Sequence, residues 1–155
     1  MRKMLVGLGI LGVLTIAGTG LWAWRVDKAV DGEASVRAIA VGRKLYAEHC
    51  ASCHGANLEG QANWRQRLPN GRMPAPPHDA SGHTWHHSDE ALFRVTKEGS
   101  AAVAGGGYAS DMPGFGAVLN DGEIRAVLAF IKSTWPARQR EAQAQGSASG
   151  PPSGR

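Results

Sequence analysis

The two cysteines of the chain, Cys50 and Cys53, lie three positions apart and are followed at once by His54. A Cys-x-x-Cys pair can form a disulfide or exchange thiols with a partner. The adjacent histidine favours a different chemistry, because Cys-x-x-Cys-His is typical of covalent haem attachment. The two thiols add to the vinyl groups of the macrocycle, and the next residue directs its imidazole at the iron. We therefore predict one covalently bound haem c with His54 as the proximal iron ligand.

A second iron ligand is expected from another part of the chain, and methionine is typical of electron-transfer haems because it raises the reduction potential. Met1 and Met4 belong to an apolar N-terminal segment, which leaves Met73 and Met112. Met112 lies in a loop before the last predicted helix, far enough along the chain to cover the opposite face of the haem. Met73 follows His54 by only 19 residues and is better suited to the haem edge or the surface. The predicted cofactor-binding residues are Cys50, Cys53, His54 and Met112, and the predicted iron ligands are His54 and Met112.

A run of histidines forms a second group with ligand chemistry: His78, His83, His86 and His87. Imidazoles so close in sequence can bind copper or zinc, and one of them can replace methionine as an iron ligand. The interpretation we favour is that they and Trp85 line the haem periphery and hydrogen-bond its propionates or the backbone. Further candidates for propionate contacts are Trp64, Arg67, Arg72 and Tyr108.

The first 25 residues predict export from the cytoplasm. Residues 5–24 carry no charge, and as a helix they would span about 30 Å, the thickness of the bilayer core. Arg2 and Lys3 precede them and are expected to stay on the cytoplasmic side. We predict an uncleaved membrane anchor, with a cleaved signal peptide as the alternative. Either way the haem domain is expected on the periplasmic side of the cytoplasmic membrane, anchored or, after cleavage, soluble in the periplasm.

The net charge of +4 does not indicate a nucleic-acid partner. Three of the 17 lysines and arginines, Arg2, Lys3 and Arg25, flank the apolar segment, which leaves 14 cations against 13 acidic residues. The remainder shows no basic stripe with interleaved aromatic residues, the pattern that nucleic-acid binding requires. We therefore expect no nucleic-acid partner.

The pattern of the remaining elements predicts an all-α fold. Apolar residues at helical spacing predict a first helix over residues 34–49, whereas clustered prolines predict a long loop over residues 55–82. Ser88 is expected to start a helix that ends before Gly99, and Asn120 or Asp121 is expected to start the last one. The predicted domains are an anchor or signal peptide (1–25), a linker (26–33), a haem domain (34–137) and a disordered tail (138–155).

From about residue 34 to residue 135 the sequence resembles a class I c-type cytochrome domain. Gly42 and Tyr46 fall eight and four positions before Cys50, where this family packs its first helix against its last. Val127 and Phe130 take the matching places on the last helix, and Met-Pro at 112–113 is similar to the family's distal loop. The resemblance implies a class I cytochrome c-like helical domain around one covalently bound haem, here preceded by one N-terminal membrane-anchor helix. It also implies a proline carbonyl that binds the free ring nitrogen of the proximal histidine, for which the candidates are Pro69, Pro74 and Pro76.

We therefore expect an electron carrier rather than an enzyme, which shuttles one electron between a donor and an acceptor redox protein. With both axial positions filled, no coordination site remains for a substrate. Two alternatives stay open. One is a haem-containing subunit of a periplasmic oxidoreductase, in which the distal ligand is absent or displaceable. The other is a copper-handling cytochrome that uses the loop from His78 to His87.

Overall fold

Six α-helices and one 3-10 helix form the part of the chain that the computed structural model describes, residues 35–148. They are α1 (residues 35–49), α2 (Ala51–His54), the 3-10 helix (Thr84–His86), α3 (Asp89–Glu98), α4 (Ser100–Ala104), α5 (Asp121–Ser133) and α6 (Ala137–Ala148). No strand occurs between residues 35 and 148, so the predicted all-α class is confirmed for this part of the chain. Within the same range, no helix has both the length and the apolar character needed to cross a membrane.

The predictions for the two ends of the chain lie outside the described residues. These are the anchor (1–25), the linker (26–33) and the last residues of the tail (149–155). All residues predicted to bind the cofactor belong to one compact unit, which begins at Ala38.

Helices α1 and α5 cross at Gly42, as the resemblance to class I c-type cytochromes implies. A Cβ atom on Gly42 would collide with the carbonyl oxygen of Ala126 and would lie 3.0 Å from Cβ of Phe130. One turn further on, the rings of Tyr46 and Phe130 pack with centroids 5.5 Å apart. Both rings are buried, and so is Val127, the other predicted partner. Glycine therefore permits the close approach of two helix backbones, and the aromatic pair fills the space beside it.

Side-chain caps start the helices on either side of the Gly-rich segment. The Ser88 hydroxyl accepts a hydrogen bond from the backbone nitrogen of Ala91 at the start of α3. At the start of α5, Asn120 and Glu123 each accept a hydrogen bond from the other's backbone nitrogen, at 3.0 and 2.8 Å. Such reciprocal caps satisfy backbone donors that the first helical turn leaves unpaired. The predicted starts at Ser88 and Asn120 are confirmed.

Helix α6 corrects the prediction of a disordered tail from residue 138. Residues 137–148 are rich in alanine, glutamine and arginine, which are good helix formers. Gln143 is only 2 % exposed, and its Nε2 atom donates to the Asp89 carboxylate at 2.7 Å. The polar composition favours a solvated chain, but the side chain of Gln143 at the centre of α6 is buried and hydrogen-bonded.

Candidate cofactor site

The Cys-x-x-Cys-His motif forms a single helical turn directly after α1. The backbone nitrogen of Cys50 donates to Tyr46 at 2.9 Å, and that of His54 donates to Cys50 at 2.9 Å. The two cysteines are not joined as a disulfide; Cys50 is half-buried and Cys53 is exposed. One turn of helix thus carries both thiols and the imidazole.

The environment of Cys50 does not favour thiol exchange. Burial, with a smaller contribution from Cys53, raises the pKa of the Cys50 thiol to about 11. Redox-active Cys-x-x-Cys pairs require the opposite shift, because the thiolate is the attacking species. The pair is better suited to stable thioether bonds than to reversible redox chemistry.

His54 has the geometry of a metal ligand. Its side chain is 7 % exposed, and its Nδ1 atom lies 2.8 Å from the carbonyl oxygen of Pro76. A carbonyl only accepts, so Nδ1 carries the proton and Nε2 presents a lone pair. Burial lowers the pKa of His54, although the bond to Pro76 partly opposes this shift. The ring is therefore neutral, as metal binding requires, and Pro76 is the proline that the sequence left undecided.

Met112 lies in a separate segment, the glycine loop (residues 105–120). Its Sδ atom accepts a hydrogen bond from the Ser100 hydroxyl at 3.2 Å, and its backbone nitrogen donates to Ser110 at 3.1 Å. Ser100, the first residue of α4, carried no signal in the sequence. The alternative, Met73, lies only three residues before Pro76, in the segment that supports His54. This placement favours Met112 for the opposite face, and the assignment remains a prediction.

The glycine loop is fastened to the end of α3 by close backbone contacts. The backbone nitrogen of Phe115 donates to Thr96 at 2.9 Å. A Cβ atom on Gly99 would lie 2.7 Å from the nitrogen of Gly114, and one on Gly114 would lie 2.7 Å from the Glu98 carbonyl. Two facing glycines therefore set the position of the segment that carries Met112.

The four histidines of the proline loop (residues 55–88) have different aromatic neighbours. His78 stacks on His54 with centroids 4.0 Å apart, His83 stacks on Trp64 at 5.4 Å, and His86 stacks on Trp85 at 3.6 Å. His87 contacts the edge of the His83 ring. Among residues 35–148 no group of three histidine, cysteine or acidic side chains could hold a metal ion. The copper prediction for His78, His83, His86 and His87 therefore has no support in the described structure.

His78 is also unsuited to be the second iron ligand. Its ring lies parallel to that of His54, with an interplanar angle of 21°, so it is beside the proximal ligand and not across the metal from it. Burial, followed by the neighbouring His54 and His83, lowers the pKa of His78 to about 3. The ring is thus a neutral neighbour of His54 at ordinary pH.

Trp85 tests whether a cofactor with carboxylates fits this part of the molecule. Its side chain packs against the hydrophobic core. Its Nε1 atom is buried and has no hydrogen-bond acceptor among the described residues. Buried N–H groups are almost always paired. The unpaired donor therefore fits a cofactor that brings its own acceptor, as the propionates of haem do.

Most of the other candidates for propionate contacts are engaged elsewhere. Arg67 donates to the backbone oxygen of Gly71 at 2.7 Å, and Arg72 forms an ion pair with Asp111. Trp64 stacks on His83 and has the Arg65 guanidinium over its ring. Together with the half-buried Tyr108, they remain predictions, with no contact that points to a cofactor.

Comparison with known proteins gives one family and a small group of relatives. The family model described as Cytochrome c matches residues 39–135. The cytochrome bc1 complex cytochrome c subunits of Mycobacterium bovis and Mycobacterium tuberculosis are 36 % identical to the chain over 89 residues. The match covers 48 % of this chain and 31 % of each relative, so the chain corresponds to under a third of their length. No solved structure matches the chain.

Proposed function

Because the chain belongs to the cytochrome c family, whose cofactor is covalently bound haem c, we propose that it carries single electrons between redox proteins. The observation that carries this proposal is the state of His54. The imidazole that directly follows the two cysteines is buried and neutral, its Nδ1–H donates to the Pro76 carbonyl oxygen, and its Nε2 lone pair is free for iron. This arrangement supports a permanent axial ligand.

Four residues of the chain would bind the cofactor, two through the macrocycle and two through the iron. Cys50 and Cys53 would hold the macrocycle through thioether bonds, and His54 and Met112 would bind the iron from two different segments. When bound, the haem supplies the Fe(III)/Fe(II) couple, whose potential depends on its axial ligands and surroundings. If His54 and Met112 both bind the iron, no position would remain for a substrate, which favours electron transfer over substrate chemistry.

An absorption spectrum tests the ligand assignment. The oxidised wild type is expected to show the charge-transfer band of an iron–thioether bond. Met112→Ala should abolish this band, whereas the matched variant Met73→Ala should leave it intact. Retention of the band in Met112→Ala would show that the assignment is wrong, and carbon monoxide binding by the reduced wild type would contradict a closed iron site.

A subunit of a larger redox complex is the second candidate. The named relatives are cytochrome c subunits of a cytochrome bc1 complex, which supports a partner that is itself a redox protein. Purification of the tagged full chain in mild detergent separates the two candidates. A carrier should elute alone as a haem protein, whereas a subunit should retain other redox proteins in fixed stoichiometry.

We also propose that the haem domain lies on the outer side of the cytoplasmic membrane. The support is the uncharged segment 5–24 with Arg2 and Lys3 before it. The haem-stained protein should sediment with membranes, and protease added to spheroplasts should digest it. Haem protein with a new N-terminus in the soluble periplasmic fraction would show a cleaved signal instead, and protection from the protease would contradict the proposed side.

A further inference from the structure

The proline loop places a second imidazole directly against the proximal ligand. The ring of His78 covers one face of the His54 ring at a centroid distance of 4.0 Å. The hydrogen bond between Nδ1 of His54 and the Pro76 carbonyl restrains one edge of that ring. The ring can still turn about its Cβ–Cγ bond within the range of angles that a single hydrogen bond tolerates. A flat group against its face opposes this motion.

His78 is itself fixed by three bonds from different parts of the chain. Its Nδ1 atom lies 2.8 Å from the Thr84 hydroxyl, and its backbone nitrogen donates to Leu58 at 2.8 Å. Its backbone oxygen accepts from the indole nitrogen of Trp135 at 2.7 Å, and Trp135 is 1 % exposed. The position of His78 is therefore set through both its ring and its backbone.

Helix α6 contacts the C-terminal end of the proline loop. Gln143 of α6 donates to the backbone oxygen of His87 at 3.4 Å and to Asp89 at 2.7 Å. The loop that carries His78 is therefore attached both before and after its histidines. Among the described ring contacts, the other histidines of the loop pack elsewhere: His83 stacks on Trp64, and His86 stacks on Trp85.

We propose that His78 is a positioning residue that sets the rotational angle of the proximal imidazole. The Pro76 carbonyl sets the approximate direction of the Nδ1 edge of His54. The His78 ring, held by Thr84, narrows the remaining rotation about the Cβ–Cγ bond of His54. The proposal rests on the proposed function in one respect, that His54 is an iron ligand. It gives the first histidine of the loop a role that requires no second metal.

The test compares three holoproteins by proton NMR of the oxidised state and by electron paramagnetic resonance. Both spectra depend on the angle of the axial imidazole plane, which a general loss of stability does not change. His78→Ala should alter the order of the four haem-methyl resonances and the g-values. His78→Phe keeps a flat ring and should restore most of the wild-type pattern. The matched control is His83→Ala, which removes a histidine of the same loop that stacks on Trp64 and should leave the pattern unchanged.

If His78→Ala does not form a holoprotein, Thr84→Val provides a second test. It removes the hydroxyl beside Nδ1 of His78 and should shift the same resonances in the same direction by a smaller amount. The proposal is overturned if His78→Ala, or Thr84→Val in its place, keeps the wild-type pattern. It is also overturned if His83→Ala changes the pattern as much as His78→Ala does. Absence of the iron–thioether band in the wild type would instead overturn the Met112 assignment and leave this comparison unaffected.

Discussion

The two predicted iron ligands are supported in contrasting ways. His54 is buried, with a carbonyl on its Nδ1 edge and an anchored ring on its face. Met112 is half-buried in a glycine-rich loop, and the described hydrogen bond to its sulfur comes from Ser100. Packing from several elements fixes a side chain more firmly than one hydroxyl in a loop does. We therefore predict that loss of His54 reduces the yield of haem protein more than loss of Met112 does, whereas loss of Met112 mainly lowers the reduction potential.

Removal of each ligand gives the largest contrast. His54→Ala should yield little or no haem protein, because the iron loses its buried ligand next to the attachment point. Met112→Ala should still yield haem protein, since both thioethers and His54 remain, but with a lower reduction potential. Haem staining and redox titration measure these two outcomes. Equal loss of haem protein in both variants would remove the distinction between the two sides.

The facing glycines give the next largest effect, confined to the methionine side. At Gly99 the backbone φ is 90°, a value at which a side chain costs about 1–3 kcal/mol, and a Cβ atom would also press on Gly114. Gly99→Ala should therefore lower the denaturant midpoint for loss of the iron–thioether band.

The matched variant is Gly105→Ala, at a φ of 64° with no heavy atom within 4 Å of the added carbon. It introduces backbone strain without the collision and should lower the midpoint less. An equal effect in the two variants would mean that contact between Gly99 and Gly114 does not position the methionine loop.

The contrast also shows what the sequence can predict. Caps at Ser88 and Asn120 were predicted because each depends on neighbours within one turn. The glycine at the α1–α5 crossing was predicted because its spacing from Cys50 resembles that of a known family. The choice of Pro76 was not predictable, because every residue has a carbonyl and only the path of the loop selects the one that reaches His54, 22 residues away.

Two further features could not be predicted for a related reason: helix α6 and the contact of His78 with His54. Gln143 looks like a surface residue in sequence, but its partner Asp89 lies 54 positions earlier. His78 looks like one of four equivalent histidines, and only tertiary packing separates it from His83 and His86. Neighbouring residues determine where helices begin, whereas the groups that surround His54 are determined by contacts between residues that are distant in sequence.

The Ser100 hydroxyl allows a finer test of the methionine side. A hydrogen bond to the sulfur withdraws electron density from it, which favours Fe(II). Such a bond is worth about 0.5–1.5 kcal/mol in total, and only the difference in its strength between the two oxidation states changes the potential. Ser100→Ala should therefore lower the Fe(II)/Fe(III) ratio at a fixed potential by less than about tenfold. Ser100→Thr retains a hydroxyl and should restore the ratio.

Ser110→Ala is the matched control for Ser100→Ala. Ser110 accepts from the backbone nitrogen of Met112 and does not touch the sulfur in the described hydrogen bonds. Its loss should affect stability more than potential. An unchanged potential in Ser100→Ala, with the iron–thioether band intact, would show that this hydroxyl does not tune the ligand.

The smallest expected effect concerns the attachment of α6 to the histidine side. Burial opposes ionisation of Asp89, but hydrogen bonds from Lys132 and Gln143 outweigh it and lower the pKa of this carboxyl below its usual 3.8. The folded chain thus binds this proton less readily than the unfolded chain, so the stabilisation is complete above pH 3.8 and is lost as the pH falls through the lowered pKa.

The rate of amide hydrogen exchange in α6, corrected for the intrinsic exchange rate at each pH, should increase over that acid range. Asp89→Asn should already show the faster exchange at neutral pH and should lack the acid step, while the iron–thioether band stays unchanged. If Asp89→Asn shows an acid step of equal size, another carboxylate causes the effect. Asp89 would then not be the residue that links α6 to the loop beside His54.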